Sequence, residues 1–301
     1  MLVSVPALGG LLVTGCSDTF RTPVVRGGLI GAAGVLTMST SRWLQADQPL
    51  AREYGREHIA PEFPTWGQTN PDDKRYQQHV SERFRHWALP VGGLVEQPSS
   101  FSLADIKALP VRTQITAHVC EQGWSAIAEW IGAPLSLLLE AAGGVKPEAR
   151  YVVFHAVDGW YESIDMFEVV HPQTILAYGL HGEELPVGNG APLRLRVERQ
   201  CGYKNIKFIQ SIEVVDSLAG IRRGTGGLRS DFGFPWFGGG GGVGALPLGR
   251  GLARRPPRWR RRRGRAARAS PPRTRCCASR RPRMRRTRST VAAAEIAISR
   301  G

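Results

Sequence analysis

The stretch His118-Val-Cys-Glu-Gln-Gly-Trp-Ser125 sets one thiol, Cys120, between a strand pattern and what reads as the start of a helix. A thiol near a helix N-terminus has a lowered pKa, and the thiolate is the form that binds soft metals or attacks electrophiles. Three readings are open at this point. A buried structural cysteine would be inert. A nucleophile would need a base, and His118, His155 or Asp158 could serve. A metal ligand would need the rest of a cofactor site elsewhere in the chain.

Two other stretches supply groups of the right chemistry. Asn189-Gly-Ala-Pro-Leu-Arg194 puts a loop and an arginine at the mouth of a strand, and Gly202-Tyr-Lys-Asn-Ile-Lys207 gives a glycine turn with two lysines. Turn amides together with Arg and Lys side chains make a cradle for an anion such as a phosphate-bearing cofactor. The remaining cysteines do not compete with Cys120. Cys201 reads as a small buried hydrophobe, Cys276 and Cys277 are adjacent, and no C-x-x-C spacing occurs, which argues against a zinc site or a disulfide framework.

The elements that must position these groups alternate short strands with modest helices over residues 84–217. Ser102 and Asp105 cap a short helix that ends before Pro110, and Gln114–Val119 reads as a strand. Leu135, Leu138, Leu139 and Ala142 share one helical face that starts at Pro134 and stops at Gly143-Gly144. Tyr151–Phe154 reads as a buried strand. Leu193, Leu195 and Val197 alternate with Arg194, Arg196 and Glu198, and Ile212 and Val214 continue a period of two after Ile206 and Phe208. The fold class expected is α+β, strand-rich, with mixed sheets and short helices.

Charge divides the chain. The whole carries a net +15, and residues 250–301, with 19 Arg, one Glu and neither Lys nor Asp, account for +18, which leaves the first 249 residues at −3. Arginine without lysine, beside Pro, Ala and Gly, is what a GC-rich gene gives in a shifted reading frame. Residues 240–301 are therefore read as a disordered, out-of-frame tail rather than a nucleic-acid interface. The glycine run that begins at Gly238 follows no strand pattern and is not a dinucleotide loop. At the other end, an apolar run closes in Val13-Thr14-Gly15-Cys16, which resembles a lipobox. Residues 1–44 are read as an export signal and linker whose true start lies upstream, with Cys16 the lipid anchor point. The apolar stretch Gly28–Met38 is too short to span a bilayer. Residues 45–239 form the expected functional domain.

Cys120-x-x-Gly-Trp-Ser125, Trp130-x-Gly-x-Pro-Leu135, Asp158-Gly-Trp-Tyr-Glu-Ser-Ile-Asp165, Thr174-Ile-Leu-Ala-Tyr178, Gly190-Ala-Pro-Leu-Arg194 and Gly202-Tyr-Lys-x-x-Lys207 occur in one order over residues 45–239. In that set the sequence resembles the sulfite oxidase-like molybdopterin oxidoreductases, which include the catalytic subunit of periplasmic methionine sulfoxide reductase. The resemblance implies the sulfite oxidase-type molybdopterin-binding fold and a molybdenum-molybdopterin cofactor, with Cys120 as metal ligand and catalytic residue. By position it implies cofactor contacts from His155, Asn189, Arg194, Asn205, Ile206 and Lys207, and from Thr65 and Trp66 in an amino-terminal loop that departs from the family. Gln122 stands where many relatives have a carboxylate. The activity implied is oxygen-atom transfer to or from a small sulfur-containing, sulfite- or sulfoxide-like substrate. Electrons would come from a separate cytochrome or membrane haem protein, in the periplasm or on the outer face of the cytoplasmic membrane. The competing readings are a defective, non-catalytic protein of the same fold, or nucleic-acid binding through the arginine tail.

Overall fold

The computed structural model describes residues 31–238, with side chains from residue 35 onward. Cys16, Cys276, Cys277 and the arginine tail lie outside the described residues. Helix α1 (Gly31–Leu44) leads to α2 (Lys74–Ser81), whose first turn is capped by Asp73 accepting from Tyr76 N. Strands β1 (Ala88–Gly93) and β2 (Ser99–Ser102) follow, then α3 (Leu103–Ala108). Ser102 and Asp105 close a reciprocal capping box on α3, as the sequence predicts. Next come β3 (Arg112–Val119), β4 (Ser125–Pro134), α4 (Leu135–Ala141), β5 (Tyr151–Ala156), β6 (Tyr161–Asp165) and α5 (Met166–Val169). The described chain ends with β7 (Ile175–Leu180), β8 (Glu183–Glu184), β9 (Arg194–Arg196), β10 (Ile209–Val215) and α6 (Leu228–Asp231).

The strands make two sheets, one in the order β2-β1-β10-β5-β6 and one in the order β3-β4-β7-β8, with β9 also paired to β7. Only β1 and β10 run parallel among the pairings of the first sheet, so it is mixed; the second is antiparallel. The larger core takes Leu89, Val152, Phe154, Ile164, Ile212 and Val214 from the first sheet, and Leu176 and Leu195 from the second. The buried face of α4, Leu135, Leu138 and Leu139, belongs to it as well. A smaller cluster of Phe63, Ala128, Trp130, Ile175 and Ala177 covers the other side of the second sheet.

That double burial decides where the charged residues go. On β9 the period of two sends Leu193, Leu195 and Val197 into the larger core and turns Arg194 and Arg196 onto the opposite face, where both guanidiniums lie over Trp130, at 5.2 and 4.3 Å from its ring. A slip of one residue would exchange the two sets, so burial on both sides pins the register. The arginines are not the solvated strand face their spacing suggests, since Arg194 is 6% and Arg196 1% exposed. Arg42, on the amino-terminal side of residue 45, is tied into the same body by ion pairs of 2.7 Å to Asp165 and Glu168.

Candidate functional site

Cys120 sits in the hairpin turn between β3 and β4, closed by Cys120 N donating to Trp124 O at 2.9 Å and Gly123 N to Cys120 O at 3.1 Å. Gly123 takes φ +86°, a left-handed conformation that other residues seldom adopt. The helix expected after Gly123 is not there. Ser125–Trp130 is strand, paired along its length with β3, and its mixed burial reflects packing on both faces rather than a helical stripe. Cys120 therefore has no helix dipole. Burial pushes its thiol pKa up, with the Glu121 charge adding to that and the Gln122 amide opposing it.

The thiol opens into a cleft enclosing about 700 Å³ of empty space, its open mouth included. Of the residues singled out from the sequence, Thr65, Trp66, Cys120, Asn189, Arg194, Asn205, Ile206 and Lys207 line it together, with His118 and Asp158. His155 does not. Its neighbours Phe154 and Ala156 face the larger core, so the strand period turns His155 to the outer face of the first sheet, 3.6 Å from Glu213. Of the two lysines in the glycine turn, only Lys207 reaches the cleft. Lys204 is fully buried and paired with Glu162 at 2.6 Å. Gln122 offers a backbone amide, and the carboxylate beside the thiol is that of Glu121, whose Oε2 accepts from Cys120 Sγ at 3.5 Å.

Electrostatics across the cleft follow from burial. Arg196 Nη1 lies 2.7 Å from His118 Nδ1, and burial with the charges of Arg196 and Arg194 pushes His118 well below its ordinary pKa, so the ring is neutral and its proton lies on Nε2. Gly202 packs on that ring so closely that a Cβ would come within 2.8 Å of Nε2. Arg194 Nη1 donates to Asn189 O at 3.2 Å, and burial followed by the Arg196 charge lowers its pKa to about 9. Lys207 Nζ donates to the carbonyls of Trp66 at 2.8 Å and Gly188 at 3.2 Å and also to that of Gln68, fastening the amino-terminal loop over the cleft. Asn205 spends its side chain on Val197 N and Cys201 O, so its backbone is what it offers the cleft.

Several cleft residues escaped the sequence reading. Phe63 and Trp124 line the cleft and join the fully buried Trp130 in an edge-on aromatic cluster, with Phe63 at 6.0 and 5.0 Å from the two tryptophans. Arg229, from α6, reaches Glu121 at 3.0 Å and lies 5.0 Å from the Trp160 ring. No local signal marks Arg229, because the short helix that carries it lies more than a hundred residues beyond the cysteine. Glu121 was legible only as the neighbour of Cys120.

The cleft fits an anionic, hydrogen-bond-accepting cofactor. Asn189 Nδ2, Arg194 Nε and Trp124 Nε1 are buried donors with no acceptor among the described residues, and Arg194 forms no ion pair there. Buried polar groups are normally satisfied, so donors orphaned together around one cleft point to a bound acceptor. Among the described residues no cluster of three or more His, Cys, Asp or Glu could hold a metal ion, and Cys120 is the cysteine that lines the cleft.

Fold and cleft together are those of a molybdopterin-binding oxidoreductase. Residues 77–219 match the oxidoreductase molybdopterin-binding domain family. The chain belongs to that family and is a molybdopterin-dependent oxidoreductase of sulfite oxidase-like type. It is 37% identical over 238 residues to a YedZ1 subunit of Azospira oryzae whose name assigns it to a protein-methionine-sulfoxide reductase, covering 77% of this chain and 84% of that one. It is 30% identical to the protein-methionine-sulfoxide reductase catalytic subunit MsrP of Campylobacter jejuni, covering 58% of this chain and 65% of that one. The MsrP of Ralstonia nicotianae is 33% identical, over 51% of this chain and half the relative's length. The sulfane dehydrogenase SoxCD of Paracoccus pantotrophus overlaps 44% of this chain and 39% of its own, with a TM-score of 0.42 and 28% identity.

Proposed function

We propose that the chain transfers an oxygen atom between a molybdenum-molybdopterin cofactor and a sulfoxide-type sulfur compound, with Cys120 as the protein ligand of the metal. The observation that carries this is the Arg194 guanidinium, 6% exposed, without an ion pair among the described residues, and lining the same cleft as Cys120. A buried cation left unpaired is costly, and the phosphate of a pterin is an anion that would offset that cost. Asn189, Lys207 and the backbone of Asn205 and Ile206 complete the cradle, and Thr65 and Trp66 cover it from the amino-terminal loop. When bound, such a group supplies two-electron oxygen-atom chemistry that side chains cannot.

The chain's own residues then hold, orient and exclude. Cys120 must lose its proton to bind a metal, and Glu121 is the carboxylate beside it. Trp66, Trp124 and Trp160 line the cleft. Their rings displace water and suit a carbon-sulfur body, since sulfur over aromatic edges gains about 0.3–1.5 kcal/mol per contact. The sulfoxide reading draws on the names of the MsrP and YedZ1 relatives. Because those relatives are named as subunits, electrons would come from a separate cytochrome or membrane haem partner. We place the functional domain at residues 45–239 together with the preceding helical turn that carries Arg42, and the protein in the periplasm or on the outer face of the cytoplasmic membrane, lipid-anchored at Cys16. Among the described residues no helix is long and apolar enough to cross a membrane.

The test is Cys120→Ser in full-length protein from a molybdate-replete host. Sulfoxide reduction should be abolished and the molybdenum electron paramagnetic resonance signal altered, with the fold retained. An active variant with an unchanged signal would overturn the assignment.

A further inference from the structure

With a pterin phosphate on Arg194, the charged groups left near Cys120 are Glu121 and Arg229. Glu121 Oε1 holds Arg229 Nη2 at 3.0 Å, with the side chains 11% and 25% exposed, while its Oε2 faces the thiol at 3.5 Å. Arg229 is flanked by the rings of Trp160 and Phe234, at 5.0 and 5.4 Å, so the pair is walled by aromatic surface. Asp158 also lines the cleft, but its charge partner is Lys207 on the cradle side.

Resting on the assignment of this cleft as a sulfoxide site, we infer that Glu121 sets the charge class of the substrate: by occupying Arg229 it admits neutral sulfoxides and rejects sulfur oxyanions. An arginine near a reacting centre ordinarily recruits carboxylates, phosphates and sulfates through paired N–H donors. Here Nη2 is already committed to Glu121 while the buried Nε has no partner among the described residues, and an anion entering to reach it meets the Glu121 carboxylate in the same place. Like charge at a partly desolvated site repels strongly, whereas a neutral S=O dipole is not excluded. Arg229 thus acts on substrate choice only as far as Glu121 leaves it free.

Sulfate, an inert sulfur oxyanion, is the probe. It is titrated into molybdenum-loaded full-length protein, with binding read from quenching of the cleft tryptophans and from inhibition of methyl sulfoxide reduction. Glu121→Gln should bind sulfate about tenfold or more tightly than wild type, the scale of one charge-assisted bond. Glu121→Gln combined with Arg229→Met should lose that gain. Glu213→Gln, which removes the same charge from the outer face of the first sheet, should leave sulfate binding unchanged. An equal gain from Glu213→Gln, no gain from Glu121→Gln, or a gain that persists in the double variant would overturn the inference. If Glu121→Gln fails to retain molybdenum, Arg229→Gln takes its place: it leaves Glu121 uncompensated and should weaken sulfate binding severalfold, and wild-type affinity would overturn the inference. A flat sulfate series in an enzyme that reduces sulfoxides defeats the charge rule alone. The expected series in an enzyme that reduces none upholds the rule and defeats the sulfoxide reading.

Discussion

Lys204 Nζ lies 2.6 Å from Glu162 Oε1 and 2.9 Å from Ser163 O, and neither side chain of the ion pair reaches solvent. The pair fastens the Gly202–Lys204 turn, which carries the chain toward Lys207, to β6. The same strand holds the final segment through Ser163, which donates to Gly226 O and accepts from Trp236 Nε1. Burial alone pushes Lys204 toward neutrality, and the Glu162 charge opposes that.

Breaking this pair on one side leaves the other charge stranded. Lys204→Met should destabilise the protein by about 3–5 kcal/mol, the usual cost of a buried ion that loses its partner. Denaturant unfolding measures it. Adding Glu162→Leu should recover much of the loss, because two apolar side chains no longer need each other. A double variant as unstable as the single one would mean that packing of the turn, not charge, dominates.

His171 gives the protein an acid-side weakness. Burial, followed by the Arg199 charge, lowers its pKa from 6.5 to about 4, and both ring nitrogens are committed, Nε2 to Pro49 O at 3.3 Å and Nδ1 to Gln173 N at 3.3 Å. The neutral tautomer satisfies both contacts; a second proton on Nδ1 would face another donor. Between pH 6.5 and 4 the unfolded chain binds this proton and the folded chain does not, so stability falls as pH is lowered through that window. The contribution at stake is at most about 3 kcal/mol. His171→Gln should flatten the slope of unfolding free energy against pH there, and an unchanged slope would assign the acid sensitivity elsewhere.

Much of the scaffold was legible because local rules and tertiary demands agree. The Ser102 and Asp105 capping box, the apolar face of α4 and the alternation through Leu193, Leu195 and Val197 each follow from spacing alone. What spacing could not say is which side of a strand is wet. Arg194 and Arg196 alternate like a solvated face, yet the second sheet is covered on both sides, and only the fold shows that. Cys120-Glu-Gln-Gly123 reads from the sequence as a helix start, and pairing of β4 with β3 and β7 makes it a hairpin turn instead. His155 satisfies a family position in sequence, but the period of β5 directs it to the outer face beside Glu213. The Arg229 contact with Glu121 spans over a hundred residues, beyond the reach of any local pattern.

Arg194 should govern cofactor content more than substrate affinity. Its buried donors have no acceptor among the described residues other than Asn189 O, so an anion bound there makes charge-assisted bonds worth about 1.5–3 kcal/mol each. Arg194→Gln should therefore yield protein with a reduced pterin and molybdenum content under limiting supply. Full cofactor occupancy with a raised KM would instead place Arg194 on the substrate side.

Lys207 separates cradle from staple by pH. Burial, followed by the Arg194 charge, lowers its pKa to about 8 from 10.5, and the ammonium spans carbonyls of the amino-terminal loop and Gly188. Between pH 8 and 10.5 the unfolded chain keeps a proton that the folded apo-protein has shed, so this group makes apo-protein stability rise with pH across that window. A pterin phosphate held by Lys207 needs the charged form, so retention of the cofactor should fall over the same range. The two trends therefore run in opposite directions if Lys207 contacts the phosphate. Dialysis of loaded protein at pH 7.5 and at pH 9.5, with pterin released from each measured by fluorescence, reads the second trend; unfolding of apo-protein reads the first. Lys207→Met should flatten both. If retention shows no dependence on pH while the stability slope is present and lost in Lys207→Met, the lysine fastens the Trp66 loop and does not hold the phosphate.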